Sequence, residues 1–166
     1  MSLHESALIT DAVIAKNRSE ANALWRLRHS ISESQKREGA SLKHDISVPV
    51  DDVGHFIRVA EAAVTKEIPG IRVVAFGHVG DGNIHFNLSQ PKDWLAADFL
   101  QQGQRLASLV YDVVESFGGS ISAEHGIGQA KREHLVRYRG ETETGLMKAV
   151  KAALDPKNIM NPGKVI

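Results

Sequence analysis

The sequence predicts an α+β fold, a small and mainly antiparallel sheet with helices packed on one face, ferredoxin-like in its elements, plus a helical C-terminal part. Three observations carry this expectation. Strand-like and helix-like stretches alternate along the chain. Two of the strands flank Asp81-Gly82, a pair suited to a tight hairpin and hence to antiparallel neighbours. The helix-like stretches carry apolar stripes at 3.6-residue spacing, as elements with one buried face do. The 166 residues, 42% hydrophobic and 24% charged, fit a single globular domain over 1–166.

Taken in order, Glu5 to Glu38 is rich in helix formers without Pro or Gly, with Leu24, Leu27 and Ile31 at helical spacing until Gly39, which predicts one long helix or two. In HDISVPV, Ile46, Val48 and Val50 alternate with Asp45, Ser47 and Pro49, the pattern of a short strand with a Pro near its end. Asp51-Asp52 reads as a cap for a helix whose stripe is Phe56, Val59, Ala60, Ala63 and Val64, ending at Pro69-Gly70. Ile71 to Phe76 is a compact apolar strand, and Ile84, Phe86 and Leu88 alternate with His85, Asn87 and Ser89 in another. Leu106, Leu109, Val110, Val113, Val114 and Phe117 define the clearest helix, stopped by Gly118-Gly119. An extended SISAEHGIG, helical stretches at 129–138 and 141–154, and a turn-rich DPKNIMNPGKVI complete the chain.

Composition narrows the function. Twenty basic residues balance twenty acidic ones, so no net field draws the chain to nucleic acid or an anionic membrane. The absence of cysteine removes disulfides, thiolate nucleophiles and Cys-type zinc sites, and any metal must sit on His, Asp or Glu. Neither a signal-peptide pattern nor a membrane-length apolar run is present, so a soluble, cytoplasmic protein is expected. Met1-Ser2-Leu3 reads as an expression scar.

The most informative segment is FGHVGDGNIHFNL. With Asp81-Gly82 as a two-residue type I′ apex, His78 faces His85, and Phe76 lies opposite Asn87 on the same face. Opposed Cβ atoms are ~4.5–5.5 Å apart, from which two imidazoles can converge on one metal. Taken singly, each His reads as an ordinary strand residue bonded to backbone, and Gly80 and Gly82 as turn formers. In SAEHGIG, Glu124 next to His125 supplies one hard ligand and one base in a Gly-flanked loop, a pairing common by chance.

Together, GHVGDGNIHFNL, SAEHGIGQAKREHL and DPKNIMNPGKVI resemble the C-terminal domain of the FAD-linked oxidase family, which includes D-lactate, glycolate and D-2-hydroxyglutarate dehydrogenases. The resemblance covers nearly the whole chain, with the three blocks in order. It implies a divalent metal, zinc for preference, on His78, His85 and Glu124, with His125 as base and Asn87 at the substrate. LWRLRHSISESQKREGASLKHDISVPV resembles the D-2-hydroxyglutarate branch and implies Arg28, Ser32 and Lys43 as carboxylate-binding residues. Asn161 resembles the residue that approaches the flavin. By spacing alone, Arg28 and Lys43 would be solvated charges and Asn161 a turn residue.

The family carries a separate FAD-binding domain, and no G-x-G-x-x-G following a strand stands in for it here. That domain is expected in cis or on another chain, leaving the isolated chain colourless and inactive. The remaining partners implied are a small-molecule 2-hydroxy acid, an electron acceptor these residues leave open, and a second copy in a homodimer. The resulting expectation is the substrate- and metal-binding portion of a flavin-dependent dehydrogenase for D-2-hydroxy acids, with D-2-hydroxyglutarate or D-malate favoured over D-lactate or glycolate. A metal-dependent hydrolase and a non-catalytic metal-binding module are the competing classes, although no H-E-x-x-H helix supports the first.

Overall fold

The computed structural model describes residues 9–166, and the chain divides into two compact units, Met1–Glu38 and Gly39–Ile166. The expected scar and the expected helix start at Glu5 fall outside the described residues. In the first unit, residues 9–17 are not helical, and α1 (Arg18–His29) begins where Asn17 caps it. Asn17 Oδ1 accepts the N–H of Glu20 at 3.0 Å, while the Glu20 carboxylate accepts the N–H of Lys16 at 2.8 Å and the Asn17 amide at 3.1 Å. This reciprocal cap satisfies donors that a helix start leaves open, and it overrides the helix-forming composition upstream. At Ser30, whose hydroxyl donates to the Arg26 carbonyl at 2.7 Å, the path passes into α2 (Ile31–Lys36).

The second unit is built on four antiparallel strands, β1 (Ser41–Leu42), β2 (Asp45–Ser47), β3 (Arg72–His78) and β4 (Asn83–Ser89). β4 is central, with β3 along one side and β1 and β2 along the other in a single register: Ser41 pairs with Ser89, and Asp45 with His85. β1 and β2 are therefore two parts of one edge, joined through His44, whose carbonyl accepts the Phe86 N–H at 2.8 Å. Alternation sends Ile46, Ile84, Phe86 and Leu88 to one face. There they form a core with Phe56, Ala60 and Val64 of α3 (Val53–Glu67) and Leu106, Val110, Tyr111 and Val114 of α5 (Gly103–Ser116). Val59, expected in the α3 stripe, is exposed instead, and Val53 is buried. A short α4 (Ala96–Gln101) contributes the buried Phe99. The two C-terminal helical stretches form α6 (Arg132–Leu154), broken at Gly140, whose φ of 75° and ψ of 168° are not helical.

The β3–β4 hairpin departs from the expected two-residue apex. His78 pairs with Asn83 and Phe76 with His85, so the loop has four residues, Val79 to Gly82, and the register differs by two from His78 facing His85. A type I′ turn needs positive φ at both Asp81 and Gly82. Here Asp81 closes a 3-10 turn and only Gly82 takes positive φ, at 69°. The tertiary reason is contact with the segment after β2. The Gly82 carbonyl accepts the Val48 N–H at 3.1 Å, and a Cβ on Gly82 would lie 2.0 Å from the Val48 oxygen.

His44 sits in this core at 2% exposure, its Nδ1–H donating to the Phe86 carbonyl at 2.9 Å and its ring edge-on to Tyr111. Burial pushes its pKa down from 6.5 to about 4, against the Phe86 carbonyl, which favours the charged ring; Lys131 and His134 add to the lowering. Between these values the unfolded chain binds more protons than the folded one, so stability falls as pH drops from about 6.5 to about 4, by ~3 kcal/mol at most. His44→Asn keeps an N–H donor for Phe86 and should flatten this part of the stability profile. Urea unfolding at stepped pH checks it; parallel profiles for the two proteins would contradict the assignment.

Candidate functional site

The sheet face opposite the helices carries the chemistry. Because β1, β2 and β3 all register on β4, the face is laid out in rows: Asp45, His85 and Phe76 form one, Ser47, Asn83 and His78 the next, and Asn87 with Val74 lies on the other side. The shared register of β1 and β2 brings Lys43 level with Asn87. His85 is the centre. Its ring is 5.1 Å from Phe76 and stacks on His125 at 5.6 Å; its Nε2 lies 3.1 Å from Glu124 Oε1, and its Nδ1 lies 3.9 Å from Asp45 Oδ1.

Glu124 and His125 reach this face on the loop after α5. Ser120 first pairs with Ser47, N–H to carbonyl in both directions at 2.8 and 3.0 Å, so the loop starts as a partner of β2. The buried Asp45 then takes over. Its Oδ2 accepts the backbone N–H groups of Ala123, Glu124 and His125 at 3.1, 3.0 and 2.9 Å, with the Ser122 hydroxyl at 3.4 Å. Lys131 Nζ donates to the Ile121 carbonyl at 2.8 Å and the Asp45 carbonyl at 3.2 Å, and lies 4.0 Å from Asp45 Oδ2. Burial pushes the Asp45 pKa up, but the N–H groups of His125 and Glu124 and the positive charges nearby outweigh it, so the carboxyl is held below its usual range. Burial lowers the Lys131 pKa, opposed by Asp45.

Asp45, His85, Glu124 and His125 each present one ligand atom, all within 4.8 Å of one another. Imidazole and carboxylate in this mixture suit zinc and similar divalent ions, so the donor set fits a cation; Asp45 Oδ1 is buried without a hydrogen-bond partner. His78 lies on the same face opposite Asn83, one row from His85, and is not one of these four. Asn87 is buried, and Asn161 lies in the tail with φ of 48°. Arg28 in α1 and Ser32 in α2 belong to the other unit. Sequence reasoning passed over Asp45 and Lys131. The available signal was an Asp at the head of a strand, where that residue is disfavoured without a specific partner.

Lys131→Met removes the ammonium that ties Asp45 to Ile121 and leaves their carbonyls without this donor. The expected cost is ~1–3 kcal/mol in urea unfolding, with faster hydrogen exchange at 122–125. Unchanged stability and exchange would show that the loop is held without Lys131.

Residues 1–165 match the family model described as FAD linked oxidases, C-terminal domain. Among curated proteins, the chain is 39% identical to D-2-hydroxyglutarate dehydrogenase of Stutzerimonas stutzeri (strain A1501), over 97% of this chain and 34% of the relative. It is 37% identical to D-2-hydroxyglutarate dehydrogenase, mitochondrial, of Danio rerio, over 97% of this chain and 29% of the relative. It is 34% identical to the D-2-hydroxyglutarate–pyruvate transhydrogenase of Saccharomyces cerevisiae (strain ATCC 204508 / S288c), over 98% of this chain and 33% of the relative. The chain thus spans about a third of the length of the curated relatives it matches.

Proposed function

Because this chain belongs to the family of FAD linked oxidases, C-terminal domain, we propose that it is the substrate- and metal-binding part of a flavin-dependent dehydrogenase that oxidises a D-2-hydroxy acid to a 2-oxo acid. The observation that carries the reading is the convergence of His85, Glu124 and His125 on a sheet face that also bears Lys43 and Asn87. The relatives' names favour D-2-hydroxyglutarate as substrate, with D-malate as the shorter dicarboxylate. Both compact units belong to the reading, since the family match runs through each. No helix among the described residues is long and apolar enough to cross a membrane, and several relatives are named as mitochondrial.

His78, His85 and Glu124 would hold the divalent ion, with zinc preferred for two imidazoles and a carboxylate. When bound, such an ion lowers the pKa of a hydroxyl and attracts a carboxylate. Oxidation of the C2 alcohol removes a proton from oxygen and a hydride from carbon. His125 would take the proton, and its exposed ring beside His85 suits a base that substrate must reach. Asn161 would approach a flavin bound outside these residues, a cofactor whose chemistry would supply a hydride acceptor. Arg28, Ser32 and Lys43 would bind substrate carboxylates, and Asn87 would contact the substrate. Two positive charges and a hydroxyl exceed what a monocarboxylate with a methyl tail requires, which supports a dicarboxylate.

Replacement of both His78 and His85 by Ala should remove stoichiometric zinc, measured by elemental analysis after dialysis, with the circular dichroism unchanged; retained zinc would refute the site. In the complete flavin-bearing enzyme, Arg28→Ala should lower kcat/KM on the dicarboxylate ~10²-fold and on D-lactate much less, because loss of a charge-assisted hydrogen bond strands a carboxylate. An equal fall on both substrates would assign Arg28 to the shared C1 carboxylate or to the fold.

A further inference from the structure

We propose that Asp45 is a positioning residue of the metal site, one carboxylate that sets both the tautomer of His85 and the placement of Glu124 and His125. The inference rests on the metal-binding reading above. It departs from treating Asp45 as a ligand, although its carboxylate lies within reach of the other three groups.

The two oxygens of Asp45 do different things. Oδ2 accepts three backbone N–H groups within 3.1 Å and meets the Ser122 hydroxyl at 3.4 Å, which fills its lone-pair directions and leaves none for a cation. Oδ1 is buried without a hydrogen-bond partner, 3.9 Å from His85 Nδ1. The opposite ring nitrogen, Nε2, faces Glu124 Oε1 at 3.1 Å. The imidazole thus lies between an outer carboxylate on its Nδ1 side and an inner one on its Nε2 side. A carboxylate on Nδ1 keeps the proton there, which frees the Nε2 lone pair for a metal and raises its basicity. Closing the 3.9 Å gap to hydrogen-bond distance would satisfy the buried Oδ1 without loss of any contact to Oδ2.

Backbone pairing makes the arrangement rigid. Asp45 lies directly across the β2–β4 ladder from His85, so backbone pairing keeps the two residues opposed, while the loop with Glu124 and His125 hangs from the same carboxylate. Lys131 holds the Asp45 carbonyl and places a positive charge 4.0 Å from Oδ2, which keeps the carboxylate ionised in a buried position. Asp45 therefore links the strand-borne and loop-borne ligands, and it touches neither substrate nor flavin in this assignment.

The test uses the 166-residue chain with zinc as the probe. In zinc-loaded wild type, long-range 1H–15N spectra should show His85 with its proton on Nδ1 and zinc on Nε2; a proton on Nε2 overturns the assignment, and this measurement needs no variant. Asp45→Asn should weaken zinc binding ~10–100-fold in chelator competition and speed exchange of the His85 Nδ1 proton, whereas a purely structural residue would leave that resonance unchanged. Zinc lost in His85→Ala, with Asp45→Asn within threefold of wild type and the His85 resonance unmoved, overturns the role of Asp45 alone. Equal zinc content in wild type and His85→Ala overturns the metal reading and this assignment with it.

Discussion

A single buried carboxylate at the start of β2 constrains the whole functional face. Burial of Asp45 opposes its charge, and that cost is offset only because three successive N–H groups and a lysine converge on it. The converse also holds: residues 123–125 adopt their path because an ionised acceptor is fixed beneath them by β-pairing. A residue at 45 without a side-chain acceptor would leave three backbone donors unmet, with the Ser47–Ser120 bridge and the Lys131–Ile121 bond as remaining ties between loop and sheet.

The sheet separates stability from chemistry by face. Ile46, Ile84, Phe86 and Leu88 are almost completely buried against α3 and α5, and their neighbours in sequence are the polar groups of the opposite face. His85 and Asn87 sit on β4, the strand paired on both sides, an advantage for groups that must hold a geometry to a fraction of an ångström. Glu124 and His125 gain comparable definition by attachment to that strand's neighbour through Asp45 and the Ser47–Ser120 bridge.

The same device recurs at the end of the chain. Asp155, buried after α6, accepts the N–H groups of Ile159 and Met160 at 2.9 Å each and pairs with Lys151. An aspartate that gathers consecutive N–H groups, supported by a lysine, thus shapes both the loop with Glu124 and the approach to Asn161. In the tail the turn is local, and Asn158 and Asn161 both take positive φ near 49° and 48°, which Asn tolerates better than most residues. In the loop the aspartate is 78 to 80 residues away from its partners.

That difference in separation divides what the residues alone determined from what tertiary structure decided. Period-2 alternation places His78, His85 and Asn87 on one face whatever the turn, because a register change of two residues preserves the face. The sequence therefore identified the polar face, three of the four strands, the α5 stripe and the break between the last two helical stretches, all of which depend on neighbours a few positions apart; it missed β1 and ran the strand of HDISVPV on to Val50, which lies in a 3-10 turn and is exposed. The hairpin pairing was not legible, since contact of Gly82 with Val48 selects a four-residue loop over the two-residue turn that Asp81-Gly82 favours locally. The start of α1 was legible in principle from Asn17 and Glu20, a local cap that composition alone conceals. The meeting of Glu124 and His125 with His85 was beyond sequence reasoning apart from resemblance. It depends on a hydrogen-bonded carboxylate brought to the loop by the fold, and no local propensity encodes a partner that distant.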